Sequence, residues 1–186
     1  DSLLTEHLNA IMHDPDFQSL EAAWTGLRDM VFGTETGPKL KLRLLNVSKK
    51  ELLKDLETAI DYDMSNLFKK VYEDEYGTFG GSPYSMLLSD FYFSRHPQDI
   101  SLLERISKVA AAAHAPFVAA ADPALFDMKA FTELGTPRDM SKIFESAELV
   151  AWKAFRDSED SRYVSLVLPR YAARLPYGAK FIPVES

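Results

Sequence analysis

The stretch from Glu75 to Phe117, EYGTFGGSPYSMLLSDFYFSRHPQDISLLERISKVAAAAHAPF, decides the fold. A Gly-rich turn (Gly77, Gly80, Gly81) closes a helix and opens onto the apolar run from Met86 to Phe93, which reads as a strand. His96-Pro97-Gln98-Asp99 marks the start of a helix, with Pro97 in its first turn and Asp99 or Ser101 as the N-terminal cap. From Asp99 to His114, the residues Leu102, Leu103, Ile106, Val109, Ala110 and Ala113 recur at helical spacing and form a wide apolar face. Pro116 ends this helix, and Phe117 to Ala121 reads as a short buried strand. Strand, helix, strand is the order of a βαβ crossover, which makes its strands parallel.

Working outward, the same order continues. Toward the N-terminus, Leu40, Leu42 and Leu44 alternate with Lys39, Lys41 and Arg43, the pattern of an edge strand with one buried and one wet face. Ser48 and Glu51 form a capping box that opens a helix with Leu52, Leu53, Leu56 and Ile60 on one side. Leu67, Phe68, Val71 and Tyr72 mark a second short helix. Toward the C-terminus, helical patches run from Pro137 to Phe144 and from Ala147 to Arg156, and Val164 to Leu168 forms a last strand closed by Pro169. The expected fold class is α/β: a mostly parallel sheet with helices on both faces, preceded by an N-terminal helical segment. Strands 117–121 and 164–168 lack alternation and read as central. The expected division is a helical segment over 1–36 and the α/β domain over 37–186.

Asp14-Pro15 reads as a cap and first turn, opening a helix that runs to about Phe32. Along it Phe17, Leu20, Trp24, Leu27 and Val31 are spaced alternately by three and four, a narrow stripe of the kind that meets one other helix. The plainer reading lays that helix on its own domain. The loop from Gly33 to Pro38 ends it.

At 186 residues, 46% hydrophobic and 26% charged, the chain is globular and the right length for one domain with a real core. A net charge of −7 argues against nucleic acid or an anionic membrane as the main partner. The basic residues Arg162, Arg170, Arg174 and Lys180 face only Glu185 near the end. They read as a solvated surface or as a patch for an acidic partner. There is no cysteine, which removes disulfides and thiolate metal sites and suits a reducing cytoplasm. No apolar run approaches the ~20 residues that span a bilayer. The chain starts at Asp1 without Met and reads as a piece of something longer.

The search for chemistry is thin. Gly77-Thr78-Phe79-Gly80-Gly81 follows a helix and precedes a strand, the reverse of a phosphate-binding loop, so it reads as a helix end and turn. His96 and Asp99 have the spacing of a base and its orienter, but capping explains them more simply. His114 sits where a helix dipole is negative. Asp61 with Asp63, and Glu73-Asp74-Glu75, lack the pattern of a calcium loop, and the four His show no zinc spacing. The segment from Ser158 to Arg162, just before the last strand, is the most enzyme-like. It carries the alternative reading of a small acidic α/β enzyme of hydrolase type. A free-standing binding module is a further alternative, and it requires a large exposed apolar patch.

Eight blocks in one order carry a resemblance: DPDFQSLEAAWTGL (14–27), LNVSKKEL (45–52), FKKVYEDEYGTFGG (68–81), RHPQD (95–99), AAAAHAPF (110–117), FTEL (131–134), FRDSEDSRY (155–163) and RLPYG (174–178). Together they resemble the large subunit of the type VI secretion contractile sheath, the TssC/VipB/EvpB family. The resemblance implies a bacterial cytoplasmic structural protein, not an enzyme and without a cofactor. It also implies pairing with a small sheath subunit, stacking with neighbouring sheath heterodimers, and enclosure of an inner tube of hexameric protein that contraction propels. A disassembly ATPase then takes the contracted sheath apart. The family protein is considerably longer, so the chain corresponds to its N-terminal and middle part. Candidate interface residues are Trp24, Leu27 and Val31 on the stripe and Arg170 and Arg174 in the basic tail.

Overall fold

The parallel sheet consists of β1 (Leu87–Phe93), β2 (Phe117–Ala121) and β3 (Val164–Val167), hydrogen-bonded in that order. The computed structural model describes residues 2–136, 139–146, 149–168, 172 and 175. These fall into two units, one containing residues 2–45 and the other residues 46–168.

In the first unit, α1 (Ser2–Met12) precedes α2 (Pro15–Phe32). Asp14 caps α2 as its sequence dictates: its carboxylate accepts the N–H groups of Asp16 and Phe17 at 3.0 and 3.1 Å, and Pro15 takes the first helical position. The Gln18 amide donates to the Met12 carbonyl at 3.0 Å and ties the two helices at their junction. α2 buries none of its residues, and Trp24 is 61% exposed.

Among the described residues the expected edge strand around Leu40 finds no strand partner. Apart from a single bridge between Gly37 and Leu40, residues 38–48 join no sheet among the described residues, and Leu40, Leu42 and Leu44 are exposed. Alternation reports an extended backbone with two unlike faces. A strand also needs a neighbour for its N–H and C=O groups, and that requirement is non-local. The edges of the described sheet are β1 and β3.

The second unit opens with the capping box as read. Ser48 Oγ accepts the Glu51 N–H at 3.2 Å, and the Glu51 carboxylate accepts the Ser48 N–H at 2.8 Å. α3 (Lys49–Thr58) buries Leu52 and Leu56 but stops before Ile60, which is 93% exposed rather than on the core face. α4 (Asn66–Phe68) starts under the Asp55 carboxylate, which accepts the N–H groups of Asn66 and Leu67 at 3.1 and 3.0 Å. It continues as a π-helix over Lys69–Tyr76 and buries Phe68 and Val71.

α5 (Pro97–Ala112) is the organising element. All six apolar positions expected to face inward are buried, joined by Ile100 and Ser107. They pack with Phe93 of β1, Phe117 and Ala119 of β2, Leu52 and Leu56 of α3, and Phe155 of α7 (Val150–Arg156) in one cluster. α6 (Met140–Ile143) lies between α5 and α7 in sequence. Arg105 of α5 donates to the Leu56 carbonyl at 2.8 Å and satisfies the end of α3.

Register places Leu87, Phe117 and Val164 side by side, and Ala119 beside Leu166, on the face that α5 covers. β2 is central, as expected. β3 is an edge in the described sheet, a correction to its expected central place: a short apolar run reads alike at both positions. On the opposite face Leu88 and Val167 are 58% and 55% exposed, so helix cover is incomplete there.

This layering predicts unequal costs for equal truncations. Leu103→Ala, at a site with no exposure, is expected to lower the unfolding free energy by about 2–5 kcal/mol. Leu88→Ala on the open face is expected to stay within about 0.5 kcal/mol. Urea denaturation of the two variants checks this, and comparable losses would refute the one-sided core.

Candidate functional site

Ligands of open α/β sheets bind outside the carboxyl ends of the strands. At that edge the chain builds a polar knot from residues far apart in sequence. Lys49, in the first turn of α3, donates to the Tyr92 carbonyl at 2.6 Å and pairs with Asp99 of α5, also at 2.6 Å. Its ammonium lies 4.5 Å from the centre of the Phe93 ring. Asp99 accepts two further hydrogen bonds, from the Ser94 N–H and hydroxyl, both at 2.8 Å. Ser94 Oγ in turn accepts the His96 N–H at 3.2 Å.

The knot corrects the expected cap. His96, not Asp99 or Ser101, is the N-terminal cap of α5: its Nδ1 accepts the Gln98 N–H at 3.3 Å, and Pro97 follows. His96 and Asp99 meet through the backbone, the Asp99 N–H donating to the His96 carbonyl at 2.9 Å, while their side chains turn to Gln98 and to Lys49 and Ser94, so the base-and-orienter arrangement is not made. Burial alone would raise the Asp99 carboxyl. The Lys49 hydrogen bond, the two Ser94 donors and the Lys49 charge outweigh burial and hold it below the ordinary carboxylate range. Beside the knot, Asp122 caps the turn after β2 through the Ala124 N–H at 2.8 Å, and Arg95 pairs with Asp127 at 3.3 Å. The carboxyl ends of β1 and β2 are also tied to each other, the Asp122 N–H donating to the Phe93 carbonyl at 2.9 Å.

The segment from Ser158 to Arg162 precedes β3 and so lies at the amino edge of the sheet, away from the usual ligand position. It forms a 3₁₀ turn, Glu159–Tyr163. Its hydroxyls are spent locally: Ser158 Oγ donates to the Phe155 carbonyl at 2.6 Å, and Ser161 Oγ to the carbonyls of Arg156 and Ser158 at 2.8 and 2.7 Å. Arg162 pairs with Glu159 at 3.2 Å. Among the described residues neither serine is hydrogen-bonded to a histidine or a carboxylate, the partner an activated nucleophile requires.

At the same edge, α5 ends in a Schellman motif. The Ala115 N–H reaches the Ala110 carbonyl at 3.0 Å, the His114 N–H reaches Ala111 at 3.1 Å, and His114 sits at φ 51° where glycine is usual. Its ring nitrogen Nδ1 lies 3.2 Å from the Tyr163 hydroxyl, and Tyr76 flanks it with ring centres 5.9 Å apart. The expectation for His114 was a dipole contact. What holds it is a bridge between the end of α5 and the start of β3.

Gly77 closes the π-helix as expected, its N–H bound to the Tyr72 carbonyl at 2.7 Å. Among the described residues no group of His, Asp and Glu is disposed to hold a metal, and no helix is long and apolar enough to cross a membrane. Of the candidate interface residues, Trp24 and Val31 are exposed and Leu27 is half-buried. Arg170 and Arg174 lie outside the described residues. Lys49 and Tyr92 were missed because their pairing spans more than 40 residues and leaves no local pattern.

Comparison with known proteins now bears on the chain. A family model described as EvpB/VC_A0108, tail sheath N-terminal domain (VipB), matches residues 1–186. A curated relative, the type VI secretion system sheath protein TssC1 of Pseudomonas aeruginosa, is 51% identical over 188 aligned residues. The alignment covers 100% of this chain and 38% of that relative, so the chain spans under two-fifths of the relative's length.

The knot gives Asp99 a pH signature. Its lowered carboxyl contributes stability that is full above the unfolded value near pH 3.9 and is lost as pH falls through the folded value. Asp99→Asn is expected to cost about 2–3 kcal/mol at pH 7 and to lose less stability than the parent between pH 5 and 3. Some acid sensitivity should persist through Asp55, whose carboxyl is also held low. Urea midpoints across that range decide it. An unaltered acid slope in the variant would contradict this role.

Proposed function

The chain belongs to the EvpB/VC_A0108 family of tail sheath N-terminal domains, and from this we propose that it is part of the large subunit of a type VI secretion contractile sheath. The observation that carries the reading is 51% identity maintained across the whole chain to a sheath protein. In this reading the full-length protein pairs in the cytoplasm with a small sheath subunit. The heterodimers stack into a tube around an inner tube of hexamers, contraction propels that inner tube, and a disassembly ATPase recycles the contracted sheath.

The physical features agree with a structural part. The strand ends at the carboxyl edge are spent on the fold's own closure. The first unit, by contrast, exposes Leu3, Leu4, Leu8, Ile11, Leu20 and Trp24. Isolated helices of this length are marginal in water, and their stability comes from burying an apolar face. Assembly supplies that burial. The stripe Trp24, Leu27 and Val31 is assigned to a protein contact, and the basic Arg170 and Arg174 to an acidic surface of a neighbour. The division into a helical segment over 1–36 and a domain over 37–186 is kept as a working boundary.

Co-expression of the full-length protein with the small sheath subunit, viewed by negative-stain electron microscopy, tests the reading. Hollow tubes that require both chains are expected, while discrete particles with no co-purifying partner would overturn it. Trp24→Ala with Val31→Ala is expected to reduce recovery of assembled material at least tenfold, the loss of ~1.4 kcal/mol or more at one contact. The melting temperature of the free protein should hold, since Trp24 is mostly exposed in it. Undiminished assembly by this double variant would remove the stripe from the interface.

A further inference from the structure

We infer that the glycine turn of one copy seats its Phe79 ring in an aromatic pocket of a second copy. This rests on the sheath reading and names one of its contacts. Phe79 is 106% exposed, an extreme position for a phenyl ring. The turn that presents it is firmly built. The Gly81 N–H reaches the Thr78 carbonyl at 3.0 Å, Thr78 Oγ1 reaches the Glu73 carbonyl at 2.6 Å, and the Ser82 N–H reaches the Glu75 carboxylate at 2.8 Å. Gly80 takes φ 82°, and a Cβ on Gly81 would meet the Glu75 carbonyl oxygen at 2.1 Å. Two glycines are thus required to hold the ring out in one conformation, which lowers the ordering cost of docking it.

The receiving site is a pocket of about 240 Å³ lined by Phe126, Phe144, Trp152, Val164 and Leu166, with Arg156 also in its wall. An apolar cavity of about 150 Å³ already takes up benzene, so a phenylalanine ring fits. Phe126 meets Phe144 edge-on with ring centres 5.7 Å apart, and Phe144 stacks on Trp152 at 6.4 Å, so an entering ring would find aromatic faces and edges. Charge agrees with this pairing. The knob is preceded by Glu73 and Asp74, both exposed and without an ion-pair partner among the described residues. The pocket's α7 carries Lys153 and Arg156, and among the described residues Asp157, 3.5 Å from Arg156, is the acid that pairs with them.

Knob and hole are different places on one surface, so the contact is heterologous, the kind of interface that builds a ring when its rotation closes and an open helical array when it does not. The chain has no cysteine, so engineered ones will report alone from this region. In the full-length protein co-expressed with the small subunit, Thr78→Cys, which keeps the neighbouring Phe79 ring, and Ser161→Cys in the pocket wall are combined in one chain and the assemblies are mildly oxidised. A ladder of dimers, trimers and higher species on a non-reducing gel is expected. Mixing the two single variants should give dimers only. Phe79→Ala is expected to raise the concentration needed for tube formation at least tenfold with an unchanged melting temperature. Tubes that form normally from Phe79→Ala, or that give no ladder with both cysteines present, would overturn this contact and leave the sheath reading standing. A wild-type protein that forms no tubes would instead remove the sheath reading, and this contact with it.

Discussion

The fold depends on one carboxylate. Asp99 stands in the first turn of α5 and is met by Lys49 from the first turn of α3 and by Ser94 just after β1. Three elements therefore begin or end on one group. At 16% exposure its charge is costly to leave unpaired, and the three donor contacts it receives, one from Lys49 and two from Ser94, offset that cost. That requirement helps set the position of α5 over the sheet, and α5 in turn supplies the largest share of the core of any one element. The knot occupies the carboxyl end of β1, on the side of the sheet where ligands of open α/β folds bind.

Closure at that edge contrasts with incompleteness elsewhere. The helices of the first unit, the extended leucines around Leu42, the open sheet face at Leu88 and Val167, and the Phe79 turn all present apolar groups to solvent. Scattered exposed leucines are ordinary. Sets of them that share a helix or a sheet face need a cover. A subunit made to be tiled must fold before it meets its neighbours yet retain surfaces that only they bury. A polar knot suits the first demand because it stabilises the domain without drawing on those surfaces.

Legibility in the sequence followed the range of the interaction. α5 was readable to its last buried alanine because its signals, proline at the start and apolar residues at helical spacing, are local. The Ser48–Glu51 box and the Asp14 cap were readable for the same reason. Leu40, Leu42 and Leu44 misled because alternation describes backbone extension while pairing depends on a distant edge. Asp99 was seen as a cap, since nothing within four residues announces that Lys49 will claim it. His114 was placed at a helix end, but its left-handed conformation and its Tyr163 contact could not be foreseen at a position where glycine is the usual signal. The site reading followed the same division: the absence of a motif was visible, whereas the sealing of the strand ends required coordinates. Family resemblance came from the order of many short blocks, each weak alone.

The most direct test compares backbone hydrogen exchange of the full-length protein free and assembled with the small sheath subunit. The account predicts that residues 2–45 and the turn 77–81 gain protection on assembly. Amides of α5 should be protected equally in both states, because the knot and core already hold them. Unchanged exchange across 2–45, with new protection appearing in α5 instead, would contradict a domain closed at its own edge and completed only at its apolar surfaces.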